Sequence, residues 1–260
     1  MNKIAEAFQN KKAFIPFITA GDPSLEMTEQ LLYTMQKAGA DLIEIGIPFS
    51  DPVAEGVVIQ EANERALKQG CTTDKIFDML SRARERVTVP LVFLTYLNPI
   101  YTYGKERFMQ KCAECKIDGL IVPDMPYEER EELQDVCKKY DIKIISLIAP
   151  TSKERIAMIA SKAEGYLYCV SSLGVTGIRK EIKTDIADMV AHIRETTDIP
   201  CAVGFGIAST EQAKEMAALS DGAIVGSAIV KLIGEYKENA LAPVEDYVRM
   251  MKQAVQDTEE

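Results

Sequence analysis

The feature that most constrains the fold is a strict alternation of short apolar segments with amphipathic helical patterns. Each apolar segment is followed by a stretch whose apolar residues recur at helical spacing. Eight segments have this character, at residues 14–19, 42–47, 91–96, 119–122, 142–148, 166–171, 201–203 and 222–225. Because such alternation is typical of parallel strands joined by crossover helices, the sequence predicts an α/β fold with a parallel sheet.

Chain length favours one of two arrangements of that sheet. The 260 residues hold all eight strand–helix units without a linker or a low-complexity segment. A closed (β/α)8 TIM barrel needs eight units in about 250 residues. An open doubly wound sheet, the alternative, usually has fewer units or a break where the strand order reverses. We therefore expect a single TIM-barrel domain over residues 1–260, with a short amphipathic helix at 3–9.

Composition excludes several classes of partner. The net charge is −10 and the sequence has no basic cluster, which argues against nucleic acid or an anionic membrane as the partner. No apolar run reaches the roughly 20 residues of a membrane span, and the N-terminal residues lack the apolar core of a signal peptide. Six cysteines and a single histidine do not assemble a zinc site of about four ligands. We expect no metal and a reducing, cytoplasmic location.

Two carboxylates follow each other at the second predicted strand. Alternate residues of a barrel strand point inward, and Glu44 shares the inward face with Leu42 and Gly46. Glu55 lies on the loop after the strand. A desolvated glutamate has a raised pKa, which suits a general acid–base group. A purely structural carboxylate would need a basic partner, and the predicted strands carry no arginine and one lysine, Lys143, near a strand start.

Three glycine-rich loops, at 174–177, 204–206 and 226–227, follow the last three predicted strands. Barrel enzymes often bind phosphate with such loops and a helix N-terminus, because glycine lets backbone N–H groups approach the oxygens. The alternative for residues 204–206 is a dinucleotide fingerprint. That pattern fails at its third glycine, where Ser209 stands. The loops therefore predict a phosphate site.

Eight motifs occur in one order that matches a known family. They are Pro16-Phe-Ile-Thr-Ala-Gly-Asp-Pro23, Glu44-Ile-Gly-Ile-Pro-Phe-Ser-Asp-Pro52, Thr95-Tyr-Leu-Asn-Pro99, Gly119-Leu-Ile-Val-Pro-Asp124, Ala149-Pro-Thr151, Gly174-Val-Thr-Gly177, Gly204-Phe-Gly-Ile207 and Gly226-Ser-Ala-Ile-Val-Lys231. With these motifs the sequence resembles the tryptophan synthase α-subunit family over nearly its whole length. The segment that contains Glu44 is the most specific of the eight.

The resemblance implies an activity and a set of site residues. The family cleaves indole-3-glycerol phosphate to indole and D-glyceraldehyde 3-phosphate by a retro-aldol reaction. Three residues match its catalytic positions: Glu44 as acid–base group, Glu55 as the carboxylate that holds the indole N–H, and Tyr168 beside the substrate. Substrate-binding positions fall on Phe17, Leu94, Thr176 and Phe205. Phosphate-binding positions fall on Gly177, Gly206, Gly226 and Ser227.

The resemblance also implies a partner. Family members deliver indole to a β subunit in an α2β2 heterotetramer, and that subunit joins indole to serine. Pyridoxal phosphate belongs to the β subunit, so no cofactor is expected on this chain. Asp51, Pro52, Asn98 and Pro99 match regions that face the β subunit.

One departure from the family pattern leaves alternatives open. The family usually has Asp-Gly-Pro where this chain has Glu55-Gly56-Val57. The alternatives are a stand-alone lyase that releases free indole and a catalytically weak barrel that activates the β subunit. Another phosphate-binding barrel, such as an aldolase or isomerase, is a third. A Schiff-base aldolase would need a lysine at a strand end, and the sequence shows none.

Overall fold

The strands of the chain form one parallel sheet. The structure is a computed structural model that describes residues 3–170, 179–204 and 206–258. Every strand pair in the described residues is parallel. The strands are β1 Ala13–Thr19, β2 Ile43–Gly46, β3 Leu91–Leu94, β4 Gly119–Ile121, β5 Lys143–Ile144, β6 Ser146–Ile148, β7 Leu167–Val170, β8 Cys201–Gly204 and β9 Gly222–Val225.

The sheet closes into a barrel through its split fifth strand. The strand order is β5-β4-β3-β2-β1-β9-β8-β7-β6, so β5 and β6 stand at the two ends of the series. Only Ile145 separates them in sequence, and its N–H donates to the Leu120 carbonyl oxygen at 2.9 Å. β5 and β6 are thus two halves of the strand predicted at 142–148. The TIM-barrel prediction is confirmed, and the open-sheet alternative is wrong.

Helices surround the barrel, and several connections carry more than the one helix that the simplest pattern predicts. They are α1 Ile4–Ala7, α2 Leu25–Lys37, α3 Val57–Lys68, α4 Thr73–Ala83, α5 Leu97–Tyr103, α6 Lys105–Glu114, α7 Glu131–Lys139, α8 Lys153–Ala160, α9 Arg179–Arg194, α10 Thr210–Leu219, α11 Ser227–Tyr236 and α12 Leu241–Gln256. Short 3-10 turns occupy Tyr127–Glu129 and Lys237–Asn239. None of the helices in the described ranges is long and apolar enough to cross a membrane.

The segment after β3 corrects a sequence-based expectation. Residues 97–104, with their turn-forming and aromatic side chains, predict a loop, but most of them form α5. The Asp124 carboxylate accepts the N–H of Leu97 at 3.0 Å, which satisfies a free donor of the first turn. Pro99 stands in that same turn, where a missing N–H costs no intrahelical hydrogen bond.

Side chains pack in two layers on either side of the barrel wall. One buried cluster, which includes Leu42, Val92 and Ile121, fills the barrel interior. A larger cluster, which includes Ile43 and Ile45, lies between the strands and the helices. Alternate residues of β2 therefore face opposite layers, as period-two geometry requires. The same alternation directs Glu44 inward.

Candidate active site

A cavity of about 540 Å³ lies where the barrel strands end. This volume suits a small-molecule ligand. The cavity brings together eight residues that the sequence assigned to catalysis or binding: Phe17, Glu44, Glu55, Leu94, Tyr168, Gly206, Gly226 and Ser227. The predicted residues Thr176, Gly177 and Phe205 lie outside the described residues. Asp51 and Pro52, on the loop after β2, and Asn98 and Pro99, in α5, are not among the residues that line the cavity.

Glu44 is the most buried charged group of this cavity. It stands on β2 opposite Phe17 of β1 and Val92 of β3, and 1% of its surface is exposed. The Tyr166 hydroxyl donates to its Oε1 at 2.5 Å, whereas Oε2 has no hydrogen-bond partner in the described part of the chain. Burial raises the pKa of Glu44 to about 8, against the opposing effect of the Tyr166 hydrogen bond. The carboxyl group is therefore largely protonated at neutral pH.

Two tyrosines on one strand face stand beside Glu44. Tyr166 is fully buried immediately before β7, and Tyr168 lies two residues later in that strand. Burial and the charge of Glu44 raise the pKa of both phenols well above the usual value, so both keep their protons. Tyr168 was predicted as a site residue, and Tyr166 was missed. Period-two alternation from Tyr168 was the signal that could have found it.

Gly204 leaves room for Tyr168. A Cβ at position 204, on the neighbouring strand β8, would collide with the Tyr168 hydroxyl and ring. This close approach needs glycine, because any larger residue would displace the tyrosine from the cavity. Gly204 therefore sets where Tyr168 lies relative to the cavity.

Glu55 approaches the cavity from the loop between β2 and α3, where two side chains hold it. Asn63 Nδ2 donates to its Oε2 at 2.6 Å, and Tyr96 also hydrogen-bonds its carboxylate. Burial raises the pKa of Glu55, and both hydrogen bonds oppose this shift. Tyr96 also accepts the N–H of Ala54 at 3.3 Å, so it binds the loop backbone as well as the carboxylate.

Asn63 and Tyr96 are site residues that sequence reasoning missed. Asn63 is 4% exposed and lies on the buried face of α3 between Ala62 and Ala66. A single amide on an otherwise apolar helix face needs a hydrogen-bond partner, and this was a usable signal. Tyr96 lies two residues after the buried strand β3, where no sequence pattern distinguished it from a core aromatic residue.

At the start of α11, the cavity wall offers backbone groups instead of charged side chains. Gly226 immediately precedes α11, Ser227 is its first residue, and no side chain caps this helix. The N–H groups of the first turn of a helix lack intrahelical partners and carry the positive end of the helix dipole. Gly206 lines the same region with a positive φ of 75°. No lysine or arginine is among the described residues that line the cavity, so an anion here would depend on backbone donors.

Metal ligands are not clustered in the described ranges. Residues 3–170, 179–204 and 206–258 contain no group of three or more His, Cys, Asp or Glu side chains arranged to hold a metal ion. The two carboxylates of the cavity are each bound instead to neutral side chains, Tyr166 for Glu44 and Asn63 for Glu55.

Comparison with known proteins identifies the family. A family sequence model described as tryptophan synthase alpha chain matches residues 4–256. The tryptophan synthase alpha chain of Lactiplantibacillus plantarum is 49% identical over 256 residues, 98% of this chain and 97% of that one. That of Lacticaseibacillus casei is 47% identical over 255 residues, 98% of this chain and 96% of that one. A crystal structure of the alpha chain from Legionella pneumophila aligns with a TM-score of 0.89 at 38% identity, covering 99% of this chain and 98% of the other. The chain therefore belongs to the tryptophan synthase α-chain family.

Proposed function

We propose that Glu44 is the acid–base group of the reaction that this family catalyses, the retro-aldol cleavage of indole-3-glycerol phosphate to indole and D-glyceraldehyde 3-phosphate. The chain is accordingly a lyase of tryptophan biosynthesis. The observation that carries the role of Glu44 is its burial in the cavity, which raises its pKa to about 8. A carboxyl group that keeps its proton at neutral pH can act first as an acid and then as a base.

The chemistry needs this order of proton transfers. Indole is a poor leaving group as a carbanion, so the ring must first gain a proton at C3. Glu44 supplies that proton, and the ring becomes a cation with its positive charge shared by nitrogen. The resulting carboxylate then takes the proton of the glycerol hydroxyl next to the ring. The C–C bond breaks, its electrons restore the aromatic indole, and the hydroxyl-bearing carbon becomes the aldehyde.

Glu55 provides the second charge that this pathway requires. Its carboxylate accepts the indole N–H and stabilises the positive charge that develops on nitrogen. Glu55 has one methylene more than the aspartate usual in the family, and we propose that Asn63 and Tyr96 hold the longer side chain in place. The Asn63 contact of 2.6 Å supports this positioning.

The remaining cavity residues divide between the two ends of the substrate. Phe17 and Leu94 form apolar wall for the indole ring, and the resemblance adds Phe205 to them. Gly206, Gly226 and Ser227 receive the phosphate at the start of α11, with Gly177 as a further donor. Tyr168 contacts the substrate beside Glu44, and Thr176 orders the carboxylate of Glu55.

Membership of the family supports a proposal for the partner and the location. We propose an α2β2 assembly with the β subunit, in the cytoplasm, with Asp51, Pro52, Asn98 and Pro99 at the contact. Residues 1–260 form a single domain in this proposal. Pyridoxal phosphate acts only on the β subunit, and this chain needs no cofactor or metal. An inactive activator is less well supported, because both carboxylates line the cavity. A stand-alone lyase would share this fold and chemistry, and the response of indole release to the β subunit distinguishes it.

The test is an assay of indole release from indole-3-glycerol phosphate, with and without the β subunit. The Glu55→Ala variant is expected to lose at least about 100-fold in kcat/KM, as for loss of a charge-stabilising group. Glu55→Asp, which restores the usual family residue, is expected to retain activity. Unchanged indole formation by Glu55→Ala would remove the assigned role of Glu55.

A further inference from the structure

Helix α3 carries Asn63, and little apolar packing holds this helix in place. Asn63 lies on its buried face and donates to the Glu55 carboxylate at 2.6 Å. The other buried residues of α3 are Ala62 and Ala66. Short side chains such as these bury little apolar area, so they interlock weakly with the barrel. The position of α3 therefore depends more on its polar contacts.

The strongest of these contacts is a fork between Arg65 of α3 and Asp22, on the loop after β1. Arg65 Nε donates to Asp22 Oδ1 and Nη2 donates to Oδ2, both at 2.8 Å. Asp22 is 1% exposed, so solvent screens this pair little. Two parallel hydrogen bonds between planar groups fix direction as well as distance. The fork therefore restricts both the rotation and the shift of α3.

The loop that carries Asp22 is itself anchored. The Gly21 N–H donates to the hydroxyl of Thr28, a buried residue of α2, at 2.9 Å. A Cβ on Gly21 would lie 3.3 Å from the Ala66 Cβ, so the loop backbone and α3 are in close contact there. Arg65 thus ties α3 to a fixed part of the barrel.

Helix α11, whose first turn lines the catalytic cavity, leaves room for the fork. A Cβ on Gly234, within α11, would lie 2.9 Å from Arg65 Nη2. The two helices also meet in a buried cluster that contains Ala62 of α3, Val230 of α11 and Phe17 of β1. The fork therefore lies close to where β1, α3 and α11, three elements of the cavity wall, pack together.

We propose that Arg65 is a positioning residue for the reaction: its fork with Asp22 fixes α3, and α3 then presents Asn63 to the catalytic loop. Asn63 in turn holds the Glu55 carboxylate. Neither Arg65 nor Asp22 is among the residues that line the cavity, so both act through another residue. Asn63 is less than one helical turn from Arg65, so a displacement of α3 reaches it directly. This role of Arg65 rests on the proposed role of Glu55.

The side-chain amide signal of Asn63 in nuclear magnetic resonance spectra tests this placement without any turnover. Its hydrogen-bonded proton should resonate at higher frequency in the unmodified chain than in Glu55→Ala, which removes the acceptor. Arg65→Lys keeps a positive charge beside Asp22 but cannot form the fork. The Asn63 signal of Arg65→Lys should therefore move toward its value in Glu55→Ala.

Gly234→Ala opens the fork without changing either of its charged residues. The added Cβ would displace Arg65 Nη2. Alanine favours a helix more than glycine does, so α11 should stay folded. The Asn63 signal should move in the same direction as in Arg65→Lys. If Arg65→Lys does not fold, Gly234→Ala decides the question.

Steady-state kinetics of indole release distinguish positioning from a general loss of stability. Arg65→Lys is expected to lower kcat at least about ten-fold and to change KM by at most about two-fold, because Glu55 acts on charge that develops in the transition state. In the Glu55→Ala background the same change should cost at most about two-fold more, since no carboxylate is left to position. Arg155→Lys is the matched control: it breaks an exposed fork with Glu128, of 2.7 and 3.3 Å, and should leave kcat and the Asn63 signal unchanged.

Two outcomes would overturn the proposal. An Asn63 signal that stays in place in both Arg65→Lys and Gly234→Ala would mean that the fork does not place Asn63. Equal losses of kcat from Arg65→Lys with and without Glu55 would mean that the fork supports only the fold. If Glu55→Ala by itself keeps full activity, the proposed role of Glu55 fails, and the Asn63 signal then decides the placement alone.

Discussion

At Glu44, burial and a single hydrogen bond act on the same pKa in opposite directions. Burial disfavours the carboxylate and raises the pKa to about 8, while donation from Tyr166 stabilises the carboxylate and lowers it. Burial has the larger effect, so the group is an acid at neutral pH. Tyr166 limits the rise of this pKa, which suits the proposed second step, in which Glu44 accepts a proton.

Removal of the Tyr166 hydroxyl is expected to move the pH profile of the reaction. In the proposed mechanism protonated Glu44 starts the reaction, so kcat/KM should fall as pH rises through about 8. Tyr166→Phe removes the interaction that lowers this pKa. The alkaline limb of the profile should therefore move upward by about one pH unit. Indole release measured across the alkaline range gives both profiles.

A matched tyrosine serves as the control for that shift. Tyr140 donates to Glu106 at 2.6 Å on the exposed surface, so Tyr140→Phe also removes a tyrosine–carboxylate hydrogen bond. Its profile should coincide with that of the unmodified chain. If Tyr166→Phe leaves the limb in place or moves it to lower pH, the limb does not report Glu44.

The burial of Glu44 also predicts that the free energy of unfolding depends on pH. The folded-state pKa of about 8 lies above the ordinary value of 4.5, so folding favours the protonated form. The stabilisation from this protonation is fully present below pH 4.5 and is lost as pH rises to about 8. In Glu44→Gln nothing titrates. The difference between the free energy of unfolding of Glu44→Gln and that of the unmodified chain should therefore increase by about 1.4 kcal/mol per pH unit from pH 4.5 to about pH 8.

Urea unfolding at several pH values measures this difference. Glu61→Gln, which removes an exposed carboxylate of α3, is the control and should show little pH-dependent difference. A constant difference between Glu44→Gln and the unmodified chain across the range would mean that Glu44 is not held protonated. Glu44→Gln should also lose indole release, so the same substitution would raise stability relative to the unmodified chain as pH increases and would abolish activity.

At the scale of single elements, regular patterns could be read from the sequence and local exceptions could not. The alternating apolar residues of 42–47 predicted both the strand and the inward direction of Glu44, since side-chain direction in a strand has a period of two. The division of 142–148 into β5 and β6 at Ile145 had no such signal, because every residue around it also fits a continuous strand.

Helix α5 shows why a local pattern failed. Its residues have the composition of a loop, and the contact that supports its first turn comes from Asp124, 27 residues later in sequence. The hydrogen bonds of Glu44 with Tyr166 and of Glu55 with Tyr96 likewise join residues far apart in sequence. Composition and spacing located the carboxylates, but their pKa values depend on partners that only the folded barrel brings near.

Two serine N-caps, one next to the catalytic cavity and one on α2, allow an effect on substrate binding to be distinguished from an effect on overall stability. Ser209 caps α10 in a capping box with Gln212, whose Oε1 also accepts the N–H of Ala208 at 2.8 Å. Ser24 caps α2 through the N–H of Met27 at 3.1 Å. Ala208 lines the catalytic cavity, and none of the cavity-lining residues belongs to α2.

Each serine-to-alanine change is expected to lower the free energy of unfolding by about 1 kcal/mol. Only Ser209→Ala should also raise KM for indole-3-glycerol phosphate, because it loosens the segment that carries Ala208. Chemical denaturation and steady-state kinetics on the two variants measure these effects. A KM change of equal size in Ser24→Ala would show that KM follows overall stability instead of the local cap.

At the scale of the whole molecule, packed side chains close one end of the barrel, and the other end carries the catalytic cavity. Ile4 of α1 belongs to the buried cluster that fills the interior, and a Cβ on Gly119 would lie 3.2 Å from its Cδ1. This end is therefore packed closed. The other end carries the catalytic cavity and the loop after β2, in which Val53 is 76% exposed. Val57, the first residue of α3, is 68% exposed. Because the proposed contact with the β subunit includes Asp51 and Pro52 of this loop, we expect Val53 to lie at that contact.

Val53→Asp is expected to weaken the response of this chain to the β subunit. Val53 directly follows Asp51 and Pro52, which the proposed contact includes, and a buried aspartate without a partner would oppose association. The β-subunit concentration that gives half-maximal stimulation of indole release should rise at least about ten-fold, while activity without the β subunit stays within about two-fold. Met250→Asp changes an equally apolar side chain, 55% exposed on α12, and should leave the stimulation curve unaltered. Equal effects of the two substitutions would place the contact elsewhere, whereas an effect of Val53→Asp alone would tie the catalytic end of the barrel to its partner.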